Sequence, residues 1–136
     1  MKLVFADTVY WIAVVRPDDQ HAPTVRRIRA SLGESRLLTT EEVLTEFLAA
    51  LSSGGPQMRQ RAVEIVEDIL ADPTVEVAPQ SHGSFLAGLR LYARRPDKQY
   101  SLVDCISMNT MRSGGVTEIL TNEHHFPQEG FAILLT

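Results

Sequence analysis

Near the end of the chain, the stretch Leu120 to Phe126 reads LTNEHHF and offers two kinds of ligand chemistry. His124 and His125 are donors for a transition metal, whereas Glu123 is an oxygen donor for a hard cation. Neighbouring side chains point in different directions in helix and strand alike, so the two histidines are poorly placed to share an ion. Zinc motifs set histidines a helical turn apart, and the single cysteine, Cys105, rules out a cysteine-rich zinc site. His21 extends an apolar helical stripe and reads as packing, and His82 stands near a helix start. The carboxylates are the stronger candidates, with His124 and His125 as bystanders.

Asp7 directly follows the apolar run LVFA, and Glu123 follows EILTN. If both runs are strands of a parallel sheet, these acids stand just past its carboxyl ends, where ligands of open α/β folds bind. Asp7 also suits the N-cap of a following helix. Asp104 lies among Leu102, Val103, Cys105 and Ile106, which cover most of a helical turn, so its charge is costly unless paired or bound to a cation. The competing role is a capping box with Ser101. Glu46 falls away from the centre of the stripe Val43, Phe47 and Leu51, and periodicity alone makes it a solvated helix face. Glu41 and Glu42 complement the dipole at the start of that helix.

The elements that must position these acids alternate. KLVFA, RLLTT, VEVA, TEILT and FAILL have the composition of short strands, the first of them buried on both faces. TVYWIAVV predicts a short helix stopped by Pro17, and HAPTVRRIRASL a second with Gly33 as its stop. Thr39 and Glu42 have capping-box spacing ahead of EEVLTEFLAAL. Met58, Ala62, Ile65, Val66 and Ile69 mark a helix ending near Asp72-Pro73. Phe85, Leu89 and Tyr92 mark another, and SLVDCISMNTM forms one closed by Gly114 and Gly115. Strands alternating with helices imply an α/β fold, with a central, mostly parallel five-stranded sheet flanked by helices. No linker divides the chain, so residues 1–136 are expected to form one domain.

With 136 residues, 44% hydrophobic and 22% charged, the chain has the composition of a globular domain. The N-terminal run is apolar, but Asp7 interrupts it and Arg16, Asp18 and Asp19 follow. The expectation is therefore a cytoplasmic chain with no signal peptide and no membrane span. A formal charge of −4 argues against general nucleic-acid binding unless bound metal inverts the local sign.

The residues carrying these acids resemble the motifs of PIN-domain ribonucleases, in particular the VapC-type toxins of toxin–antitoxin pairs. VFADTVYWIA looks like the opening strand with its aspartate, and LLTTEEVLTEFLAAL like the second strand and its acidic helix. YSLVDCISMNTM looks like the helix with the third acid, and ILTNEHHFPQEGF like the last motif. The resemblance implies a PIN-like domain in which Asp7, Glu46, Asp104 and Glu123 form an acidic, metal-binding catalytic cluster supported by Thr8 and Thr121. Two positions depart from the pattern: Glu123 stands where aspartate is usual, and Val9 where a small polar residue is common.

Such a cluster suits Mg²⁺ or Mn²⁺, which can acidify water and polarise a phosphodiester. The resemblance further implies endonucleolytic cleavage of RNA, a cognate antitoxin and a homodimer. Arg90, Arg94, Arg95 and Lys98, set among Tyr92 and Tyr100, are candidate RNA contacts; the same residues would serve as a basic helix end and a solvated loop. An alternative function is a PIN-like RNA- or protein-binding regulator weakened by Glu123. A phosphatase using Asp7 fits less well, because DTVYW lacks a second acid two residues later.

Overall fold

The computed structural model describes residues 2–135; Met1 and Thr136, the ends of the expected domain, lie outside the described residues. The first strand, β1 (Leu3–Ala6), is apolar throughout and almost wholly buried. That is what a strand covered on both faces requires. Four more strands follow: β2 (Arg36–Thr40), β3 (Val75–Ala78), β4 (Glu118–Leu120) and β5 (Ala132–Ile133). They assemble in the order β3-β2-β1-β4-β5 with every pairing parallel. The mostly parallel five-stranded sheet expected from the sequence is therefore parallel throughout.

The strand order creates the position that matters for function. The chain builds outward from β1 through β2 to β3, then returns to lay β4 on the other side of β1. Ala6 pairs with Leu120 at the end of that ladder, and the Asp7 amide donates to the Leu120 carbonyl at 3.4 Å. The carboxyl ends of β1 and β4 thus meet at the point where strand order reverses, which opens a crevice in folds of this kind.

Helices cover both faces. α1 (Thr8–Val15) is rich in β-branched residues, yet Tyr10, Trp11, Ala13 and Val15 are all buried. Its tertiary setting outweighs its modest intrinsic propensity. It ends at Arg16, as expected for a residue that precedes proline. α2 (Ala22–Leu32) ends at Gly33, whose φ of 58° is a conformation that glycine adopts without strain. α4 (Pro56–Ala71) begins on a proline and stops at Asp72, ahead of Pro73. Among the described residues no helix is long and apolar enough to cross a membrane.

One local expectation is corrected. The helix after β2 is α3 (Glu41–Leu51), and its cap is Thr40, whose hydroxyl accepts from the Val43 amide at 3.0 Å. Thr39 remains in the strand. Its hydroxyl donates to the Ala6 carbonyl at 2.9 Å and accepts from the Trp11 indole at 3.4 Å, tying β2 to β1 and α1. The strand RLLTT keeps its expected length, and the cap falls one residue later than the capping-box spacing implied. The Thr40 cap is worth about 1 kcal/mol.

The helix expected around Phe85, Leu89 and Tyr92 forms as α5 (His82–Arg94). Phe85, Leu89 and Tyr92 are 46%, 46% and 52% exposed, whereas the buried residues are Gly88 and Leu91. The helix packs on α6 (Leu102–Ser113) through its smallest residue. A Cβ added at Gly88 would lie 2.5 Å from Cγ1 of Ile106, far inside contact distance. Periodicity weights large apolar side chains, so a close approach made through glycine was invisible to it.

Candidate functional site

Asp7 occupies the N-cap position of α1, but its side chain makes no capping bond. It is 6% exposed, and burial pushes its carboxyl up to about 7. The Thr8 backbone N–H and the Thr121 hydroxyl offset part of that effect, while the charges of Asp104 and Glu46 add to it. Helix capping therefore does not account for this aspartate. A buried carboxyl facing two like charges is the electrostatic condition that a bound cation relieves.

Glu46 lies on α3, which packs against α1. It is half-buried, and its Oε1 accepts a hydrogen bond from the Thr8 hydroxyl. The solvated-face expectation fails because α1 covers that flank of α3. Neither helix's own periodicity reports such coverage.

Asp104 forms the capping box read from the sequence. Its amide donates to Ser101 Oγ at 3.0 Å, and its Oδ2 accepts from the Ser101 amide at 3.0 Å. A second donor reaches the same oxygen, because Nδ1 of His125 lies 3.1 Å from Oδ2. His125 opens the short helix α7 (His125–Gln128), its ring tilted over Tyr100 with centroids 5.4 Å apart. It also stands 3.8 Å from Oε2 of Glu123. The expectation that His125 is a bystander is corrected: it is the side chain between two of the candidate acids. The available signal was Pro127, which is tolerated in the first turn of a helix and announces α7.

Thr121 is fully buried at the end of β4, and its hydroxyl accepts from the Glu123 amide at 3.2 Å. The Glu123 side chain is 53% exposed. The charges of Glu46 and Asp104 are thus near enough to act on Asp7, while Glu123 lies beside His125. Among the described residues, no three His, Cys, Asp or Glu side chains form a ready-made metal cage. Glu46 and Asp104 are instead turned to their own hydrogen-bond partners. The charged groups acting on Asp7 are carboxylates, and these fit a hard divalent cation by type.

Among the described residues no hydrogen bond or ion pair joins the remaining histidines to these acids. His124 is exposed, and Nε2 of His21 meets the Asn122 amide at 3.3 Å. Of the basic residues before α6, Arg90, Arg94 and Lys98 are exposed. Arg95 instead holds Glu129 with two prongs, at 2.9 and 3.3 Å. Arg112 at 2.8 Å and the Tyr100 hydroxyl at 3.0 Å complete that cluster. Arg95 foremost, then Arg112 and Tyr100, hold the Glu129 carboxyl down to about 2. A cavity of about 560 Å³ lies elsewhere, beside the starts of β2 and β3 and lined by Trp11, Leu32, Ile65 and Ile69. None of the candidate acids lines it.

The fold is thus a parallel α/β sheet with a buried carboxyl where its strand order reverses. The PIN domain family model matches residues 4–131, and the chain belongs to the PIN domain family. Its fold is similar to the crystal structure of Mycobacterium tuberculosis VapC20, described as a toxin that cleaves the sarcin–ricin loop. The TM-score is 0.83 at 24% identity, covering 95% of this chain and 96% of that one. No curated protein sequence matches the chain.

Proposed function

We propose that residues 1–136 act as a single metal-dependent endoribonuclease domain, the toxin of a toxin–antitoxin pair. The observation that carries this reading is the buried Asp7 carboxyl, left without a capping role and facing Glu46 and Asp104. In this reading Asp7, Asp104 and Glu123 hold Mg²⁺ or Mn²⁺, and Glu46 takes a second ion or orients water. A bound divalent cation supplies polarisation of the scissile phosphodiester and neutralises charge on the leaving oxygen. Thr8 fixes Glu46 through its hydroxyl, and Thr121 supports both Asp7 and the backbone of Glu123. The proposed substrate class is supported by family membership and by the fold shared with a toxin described as cleaving the sarcin–ricin loop. A cytoplasmic location, a cognate antitoxin and a homodimer belong to the same proposal.

The test is cleavage of defined RNAs by the purified chain. Cleavage is expected with Mn²⁺ or Mg²⁺ and is expected to stop with a chelator. RNA binding without cleavage at any metal concentration would favour the weakened regulatory module instead. That alternative draws on one observation, the exposed and rim-lying Glu123.

Arg90 and Arg94 stand one turn apart and exposed on α5. Lys98 follows them, its ammonium 3.6 Å from the neighbouring Asp97 carboxylate. These exposed cations, rather than the tightly held Arg95, are offered to the RNA backbone. Reversing the charge of Arg90 and Arg94 together should raise KM for RNA roughly tenfold. It should also reduce the salt dependence of binding by about 0.7 in log–log slope for each phosphate no longer neutralised. An unchanged salt slope would remove these residues from the RNA path.

A further inference from the structure

We propose that His125 is a positioning residue of the acidic site, whose Nδ1–H holds Oδ2 of Asp104 so that Oδ1 is presented to the cation. The inference rests on the metal-dependent reading above and adds a residue to it. Two donors converge on a single oxygen of Asp104. The Ser101 amide lies 3.0 Å from Oδ2, and Nδ1 of His125 lies 3.1 Å from it. Among the described residues no hydrogen bond reaches Oδ1. An ionised carboxylate only accepts, so Nδ1 must carry the proton in this contact, whether the ring is neutral or charged.

The ring is itself held. Phe126, the next residue, is fully buried, and its carbonyl accepts the amides of Glu129 and Phe131. These bonds fix the start of α7. On the other side the ring leans on Tyr100, whose hydroxyl donates to Glu129 at 3.0 Å. A side chain fixed at both backbone and ring can fix a carboxylate in turn. Orienting partners of this kind commonly contribute tenfold or more to metal affinity. His125 therefore acts through Asp104, and nothing in its geometry requires that it touch the ion or the RNA.

The same arrangement explains how a glutamate is accommodated at position 123. Oε2 of Glu123 lies 3.8 Å from Nδ1 of His125, beyond hydrogen-bond distance. The imidazole thus belongs to Asp104 and stands between the two acids, and the longer Glu123 side chain remains half-exposed beside it.

The test is Mn²⁺ binding to the metal-free full chain without RNA, read by electron paramagnetic resonance at fixed pH, alongside kcat and KM. His125→Ala should raise the Mn²⁺ Kd roughly tenfold. It should leave KM for RNA unchanged, and saturating Mn²⁺ should restore kcat. His125→Asn keeps a donor near the place of Nδ1 and should recover the affinity, whereas His125→Gln should not. Parental Mn²⁺ affinity in His125→Ala, or equal affinity in the Asn and Gln variants, would overturn the inference. If His125→Ala does not fold, the Asn and Gln pair carries the test alone. Asp7→Asn separates the two levels: if it binds Mn²⁺ like the parent, the metal reading itself fails, whatever His125 does.

Discussion

Asp7→Asn should lower metal-dependent RNA cleavage by about a thousandfold while making the metal-free protein more stable. The loss follows from removing a charged ligand: several kcal/mol of transition-state stabilisation, at about 1.4 kcal/mol for each factor of ten. The gain follows from the same burial that defines the site. The Asp7 carboxyl titrates at about 7 in the fold against 3.8 for an unperturbed aspartate, so the folded state holds a proton that the unfolded chain releases. The Asp7 contribution to stability is therefore most favourable below 3.8, falls as the pH rises toward 7, and is flat above. The full cost is roughly 4 kcal/mol as an upper figure. The amide cannot ionise, so the variant should lose this slope and melt higher than the parent at pH 8. Added Mn²⁺ should reverse the order by raising the Tm of the parent alone. Parental cleavage by Asp7→Asn would end the proposed function, and a parent whose stability did not fall between pH 4 and 7 would end the electrostatic account.

How far this site was legible in the sequence depended on the range of the interactions involved. Local patterns served well: β1 was an apolar run, the cap between Ser101 and Asp104 formed as spaced, and both proline stops held. Asp7 was legible because a strand end in a parallel sheet is a position with a known use. Glu46 was not, since its environment is made by α1, and only family resemblance pointed to it. His125 escaped for a related reason. Its partner lies 21 residues away on α6, and nothing in HHF indicates which way either ring turns. Arg95 was grouped with its basic neighbours because its partner, Glu129, lies 34 residues downstream. Packing through small residues, such as Gly88 on Ile106, leaves no periodic trace at all.

The second large effect belongs to Glu129, the anchor beneath the site. Its side chain is 5% exposed and receives Arg95, Arg112 and the Tyr100 hydroxyl, the same tyrosine that supports His125. Held down to about 2 against an ordinary 4.5, this carboxyl contributes stability that is present above 4.5 and lost as the pH falls through about 2. Both arginines are more than a third exposed and can turn to water, so the contribution is discounted to about 2 kcal/mol. Glu129→Gln should accordingly lower Tm at pH 7 by about 6 °C, and it should flatten the acid limb of the stability curve. The two carboxyls act in opposite directions. Asp7 destabilises the metal-free protein as the pH rises from 3.8 to 7, and Glu129 ceases to stabilise it below 4.5. The parent should therefore be most stable near pH 4 to 5. Asp7→Asn should extend that maximum upward, and Glu129→Gln should extend it downward from a lower ceiling. A Glu129→Gln protein with parental Tm at pH 7 would show that the cluster is only a surface pairing, and the firm footing it gives Tyr100 and His125 would go with it.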